Sequence, residues 1–267
     1  MDWTLLGREL AGTVTMRPYV VVFLATFLAL AGRDLGGRRT LGFLAWGAAV
    51  AFSAEWASTR VGIPFGLYHY TGDTMGRELF LSNVPVFDFM SFPFLAYASW
   101  CLARAATGRW RGAGVVALAG VLMMLADVVI DPLAVRGDRW FLGRIFYYPA
   151  GGIYFGVPLS NFAGWAIVGW AIVGGYLLLG GRRAPAGGSA RLGVAFYYAI
   201  LAFNLAVTAW IGEWGLAGAG FLLHIATFLI LWTAFSRAPA VQAGRVTPTH
   251  AERPAATLEP SGRIEGS

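Results

Sequence analysis

The chain of 267 residues has no lysine, a single cysteine and three histidines, and only 13% of its residues are charged. Each scarcity removes a class of function. The lone Cys101 excludes a disulfide framework and any multi-cysteine metal site, and leaves a packing role. Three histidines, with His250 near the C-terminus, are too few for a membrane di-iron oxygenase. Neither HExxH nor Glu-x-x-His occurs, so no metal is expected. No Walker P-loop is present and no GxGxxG opens a helix after a strand, so no nucleotide cofactor is expected. A soluble domain carries about 25% charged residues. With 57% hydrophobic residues, this chain has the bilayer as its solvent.

Seven stretches are long and apolar enough to span: roughly 13–31, 40–59, 84–104, 112–131, 158–180, 191–212 and 215–236. The expected fold is all-α, a polytopic transmembrane helix bundle of about seven spans over 1–236. A disordered tail rich in Pro, Ala, Gly and Arg follows over 237–267. Arg17 and Pro18 interrupt the start of the first run. Ala29-Leu30-Ala31 fits a cleavage site, but Asp2 and Glu9 precede it and Arg33, Arg38 and Arg39 follow, so the first helix is expected to be retained. The arginines lie in connectors, and most fall after the first, third and fifth runs and in the tail. That distribution orients a membrane protein in the cytoplasmic membrane with a cytoplasmic C-terminus, and it builds no face for nucleic acid.

Two connectors of about 25 residues (counted from the run boundaries, which are good to a few residues) break the pattern. They contain VGIPFGLYHYTGD and GRIFYYPAGGIYFGVPLSNF. Gly, Pro and aromatic rings in this density predict interfacial or re-entrant segments packed on the bundle. The polar residues of the apolar runs gather at the same membrane side: Glu55, Asp88, Asp127, Asp131, Asn161, Asn204, Thr208 and Glu213. Asp127 and Asp131 are four apart and share a helix face. A carboxylate at mid-bilayer costs about 2.5–3.5 kcal/mol on insertion scales, so a shared cavity is the economical reading. Plainer readings stand beside it. Asp131 before Pro132 can end a helix at the water boundary. Glu213 can be a solvated turn residue, and Glu55 can pair with Arg60. His69 and His224 can be hydrogen-bonded structural histidines.

The chemistry left is that of an acid in an apolar, aromatic cavity. A desolvated carboxyl group stays protonated at neutral pH and can act as a general acid. Protonating an alkene gives a cation that aromatic faces stabilise by about 0.5–2 kcal/mol each. A second carboxylate can then orient a water that captures it. Hydration or cyclisation of a polyene end fits. Prenyl transfer is half supported, because Asp127-x-x-x-Asp131 can hold Mg²⁺ against a diphosphate but a second acidic motif is missing. A non-catalytic carrier of polyene or lipid is the reading from another class.

Four segments carry a family resemblance: Gly62-Ile63-Pro64-Phe65-Gly66-Leu67-Tyr68-His69-Tyr70-Thr71, Val84-Pro85-Val86-Phe87-Asp88, Asp127-Val128-Val129-Ile130-Asp131-Pro132 and Tyr154-Phe155-Gly156-Val157-Pro158-Leu159-Ser160-Asn161-Phe162. Over roughly 40–180 the chain resembles the integral-membrane carotenoid-biosynthesis family, which includes carotenoid hydratases of the bisanhydrobacterioruberin type. The resemblance implies a cofactor-independent hydratase acting on the acyclic ψ-end of a carotenoid. On this reading Asp127 or Asp88 donates the proton, with Glu55 the next candidate. Asp131 and Asn161 position the water. Tyr68, Tyr70, Phe155 and Trp165 hold the cation and polyene end, and His69 relays protons. The partners expected are the carotenoid and membrane lipid.

Overall fold

A computed structural model of the chain describes residues 3–180 and 189–237. The first expected span divides in two, α1 (Trp3–Met16) and α2 (Pro18–Leu35). A proline has no N–H to donate and clashes with the preceding turn, so it is tolerated only in a helix's first turn. Pro18 accordingly restarts the helix, and the membrane segment shifts from the expected 13–31 to 18–35. Arg17, at the break, turns inward. It is 1% exposed, pairs with Glu78 at 3.0 Å and donates to the carbonyl of Leu142 at 2.8 Å.

The remaining helices are α3 (Gly37–Val61), α4 (Val86–Phe89), α5 (Ser91–Thr107), α6 (Ala113–Ala134), α7 (Leu159–Leu179), α8 (Ser189–Trp210) and α9 (Trp214–Arg237). Among the described residues six helical stretches are long and apolar enough to cross a membrane, with Val86–Thr107 taken as one. α3 has 25 residues, enough at about 1.5 Å per residue to cross as well. Its arginines and Glu55 lie toward its ends. The chain is thus an all-α, multi-pass membrane bundle. Met1–Ser236 gathers into one unit, and the tail expected over 237–267 lies outside the described residues from 238 onward.

The centre of the bundle is α5, buried at nearly every position from Phe92 to Arg104. Near its C-terminal end Arg104 pairs with the buried Asp34 of α2 at 2.5 Å, and the Tyr97 hydroxyl donates to the same carboxylate at 3.2 Å. Two glycines let α6 and α7 meet: a Cβ on Gly169 would stand 2.9 Å from the Cα of Gly120, and a Cβ on Gly120 would strike the indole of Trp170. Close approach of this kind is what glycine supplies between membrane helices. Gly120→Val is therefore expected to destabilise the bundle by about 1–3 kcal/mol, the usual penalty of overpacking. Thermal unfolding in detergent micelles checks it, and an unchanged midpoint would contradict the packing.

The two aromatic connectors are not independent loops. β1 (His69–Tyr70) pairs antiparallel with β4 (Phe146–Tyr147), His69 opposite Tyr147 and Tyr70 opposite Phe146. A second hairpin joins β2 (Phe80–Leu81) to β3 (Val84–Pro85) and leads into α4. Successive side chains of an extended chain point to opposite sides. Tyr68 and Tyr70 therefore share a side, as do Phe146 and Tyr148, while His69 and Tyr147 face away. Paired in this way, the two loops cover the ends of α3, α6 and α7.

Candidate active site

α3 ends at Gly62, whose left-handed φ of 74° stops the helix. The amide of Phe65 then donates to Ser58 Oγ at 3.1 Å, which turns the chain back over the helix end. That return places the hydroxyls of Tyr68 and Tyr70 on one oxygen, Oε2 of the buried Glu55. The Tyr70 hydroxyl also meets Oδ2 of Asp88, delivered by α4. From the other side α6 brings Asp127 and Asp131, and α7 brings Asn161 and Trp165. Asn161 Nδ2 donates to Asp127 Oδ2 at 2.7 Å, and Asn161 and Trp165 line one cavity with Asp131.

A phenol has one hydrogen to give, and the Tyr70 hydroxyl meets both Glu55 Oε2 and Asp88 Oδ2. It donates to one of them, and the other carboxyl group then carries an O–H that donates to the phenol oxygen. Glu55 and Asp88 thus share one proton through Tyr70. Tyr70 lies outside the spans, and burial, then Asp88 and Glu55, raise its pKa well above the ordinary tyrosine value, so it stays neutral.

Two cavities meet at these carboxyl groups. The larger, of about 80 Å³, is walled by rings and aliphatic side chains including Tyr19, Phe23, Phe94, Leu95 and Trp140. The smaller, of about 20 Å³, is walled by Glu55, Tyr68, Tyr70, Tyr148 and Asn161. Asp88, Asp131, Phe146 and Trp165 line both. Trp165 is clamped there by Phe92, stacked at 4.3 Å between ring centres and 5° between planes. The nearest cation is Arg17, whose guanidinium lies 4.5 Å from the ring of Phe87, another residue of the larger cavity.

Of the residues singled out in the sequence, Glu55, Tyr68, Tyr70, Asp88, Asp131, Asn161 and Trp165 come together here. Asp127 is fully buried behind Asn161 and lines neither cavity. His69 lies on the outward side of β1 against Tyr147, with ring centres 5.9 Å apart. Phe155 packs on Tyr154, accepts from Arg136 through its carbonyl, and lines neither cavity. Asp131 is inside α6, which runs through Pro132 to Ala134, so the helix does not end at Asp131. Arg60 bonds Asn83 at 2.9 Å and lies over Trp56, not on Glu55. Glu213 pairs with Arg136 and Arg139 at the rim. His224 contacts the carbonyl of Leu125 at 3.0 Å, as a structural histidine does. Among the described residues no group of three His, Cys, Asp or Glu is arranged to hold a metal ion.

In the sequence, Tyr148 and Phe146 are marked only by the alternation of Phe146, Tyr147 and Tyr148 in an extended run. Arg17 shows there as an interruption of the first span, and no local pattern marks Glu78.

The sequence profile of the family described as carotenoid biosynthesis protein matches residues 12–227. The chain is 33% identical over 122 residues to a bisanhydrobacterioruberin hydratase from Haloarcula japonica. That match covers 45% of this chain and 38% of the relative, well under two thirds of the relative's length. No solved structure matches.

Proposed function

The chain belongs to the carotenoid biosynthesis protein family, and on that premise we propose that it hydrates the terminal C=C of an acyclic carotenoid ψ-end without a cofactor. The observation that carries the proposal is the wall shared by an apolar and a polar cavity, with Asp88 and Asp131 in it. A polyene end fits the larger space, and water fits the smaller. The relative from Haloarcula japonica is named a bisanhydrobacterioruberin hydratase, which supports hydration as the reaction type.

The steps start with the shared proton on Asp88, the partner of the pair that borders the larger cavity. The Asp88 O–H protonates the CH carbon of the terminal double bond, leaving a tertiary cation on the dimethyl carbon and a carboxylate on Asp88. The faces of Trp165 and Phe146 stabilise that cation by about 0.5–2 kcal/mol each. Water in the smaller cavity, oriented by Asp131, forms the C–O bond and loses its extra proton to Glu55, while Asn161 lines the same cavity. Glu55 then gives a proton to the Tyr70 oxygen as Tyr70 gives its own to Asp88. The acid is restored, and the net change is one water added. Asp127 holds Asn161 and acts as a positioning residue. Because Asp88 borders both cavities and Asp127 neither, Asp88 takes the role of donor.

The arginine distribution supports a site at the outer face of the cytoplasmic membrane, with the C-terminus inside. The rest of the polyene lies among lipid chains.

Expression in a host that accumulates lycopene tests the reaction through the mass of the extracted pigment. Hydration adds one water per processed end. Unchanged mass with altered absorption would mean cyclisation, and the gain of a prenyl unit would mean prenyl transfer. Unmodified pigment that co-purifies with the protein would mean a carrier.

A further inference from the structure

We propose that Tyr148 holds the attacking water in the smaller cavity, a role that rests on the hydration reading above. Tyr148 comes from the second aromatic connector, directly after β4, and is buried. Its ring is fixed between Tyr68 and Phe146, with centres 5.6 Å and 5.8 Å away. It lines the smaller cavity and not the larger.

The hydroxyl is what sets it apart. Around the same cavity Tyr68 and Tyr70 are bonded to Glu55, Tyr70 to Asp88, and Asn161 to Asp127. No hydrogen bond of the Tyr148 hydroxyl is found among the described residues. Tyr148 lines the smaller cavity, so a hydroxyl there with no protein partner is free to hold a molecule inside it. The surroundings choose that molecule. Glu55, Asp88 and Asp131 line the same small cavity as Tyr148. A group bridging a phenol and ionisable carboxyls in a small polar space must both donate and accept, and water does both. Burial first, and then these carboxyls, keep the phenol neutral, so it offers an O–H and does not act as a base.

The water's four positions are then filled. Its hydrogens point to Glu55 and Asp131. One lone pair accepts from Tyr148, and the other faces the cation. Without the Tyr148 hydroxyl the cation still forms, but it more often returns its proton to Asp88 before water arrives. No atom is gained or lost on that return path. In deuterated water the protonated carbon carries its original hydrogen and the added deuterium. Rotation about the new C–C single bond lets the original hydrogen be lost, which leaves deuterium in the regenerated alkene.

The test is Tyr148→Phe in isolated membranes supplied with lycopene in deuterated water. The readout is the ratio of deuterium in recovered substrate to hydrated product, which does not depend on how much protein folds. The expected result is a rise of about tenfold or more in this ratio, the size of one lost hydrogen bond. An unchanged ratio, whether or not total turnover falls, would overturn the role and leave Tyr148 a packing residue. The unsubstituted protein is measured alongside. If it makes no hydrated product, the hydration reading itself fails, and the two failures are told apart.

Discussion

Asp88→Asn is expected to lower hydrated product by about 10²–10⁴-fold, the usual contribution of a positioned general acid. The substitution keeps the shape of the side chain, and the new amide can still donate to the Tyr70 oxygen. Insertion and the α4 turn should therefore survive, and the protein level in membranes verifies this. What disappears is a transferable proton at the wall between the two cavities. Asp127→Asn provides the contrast. Asp127 reaches the reaction only through its 2.7 Å bond from Asn161, so its loss should be near tenfold, as for a supporting partner behind a functional group. If Asp88→Asn turned over normally, Asp131, the other carboxyl of the shared wall, would become the donor.

The second large effect concerns stability. Glu78→Leu leaves Arg17 buried without its counter-charge, and breaking a buried pair in this way costs about 3–5 kcal/mol. The pair joins the start of α2 to the hairpin that leads into α4. Arg17 also holds the Leu142 carbonyl and covers the Phe87 ring, and both residues line the larger cavity. The single variant should unfold at lower temperature in detergent and lose activity with it. Combining Glu78→Leu with Arg17→Met removes both charges and should recover most of the stability, because a buried pair is often neutral against an apolar replacement. A single variant as stable as the parent would show that water reaches this pair.

The sequence exposed the site to the extent that the bilayer penalises polar residues. Glu55, Asp88, Asp131 and Asn161 stand out against apolar runs, and alternating helix direction sends them all to one side. Segments of about 20 apolar residues likewise revealed the spans from α3 onward. The division of the first run at Arg17 was visible as an interruption, but the destination of Arg17 was not. Its partner Glu78 is 61 positions away, and no local pattern links them. The pairing of β1 with β4 was equally hidden, since two residues are too few to display a period. His69 shows what that concealed: an aromatic-flanked histidine invites a relay role, and strand alternation turns it away from the cavity. The same alternation turns Tyr148 inward. Asp127 stands out in the same way as a carboxyl in an apolar run, but its side chain lies behind Asn161 and lines neither cavity.

The central claim is that solvent water is added to a carbon cation made by a carboxyl group of the chain. The most direct measurement is mass analysis of pigment formed by membranes supplied with lycopene in heavy-oxygen water. Hydroxylated product that carries the heavy oxygen with the parent chain, and disappears with Asp88→Asn, is the result predicted here. Product without the label, or labelled product undiminished by Asp88→Asn, would contradict it.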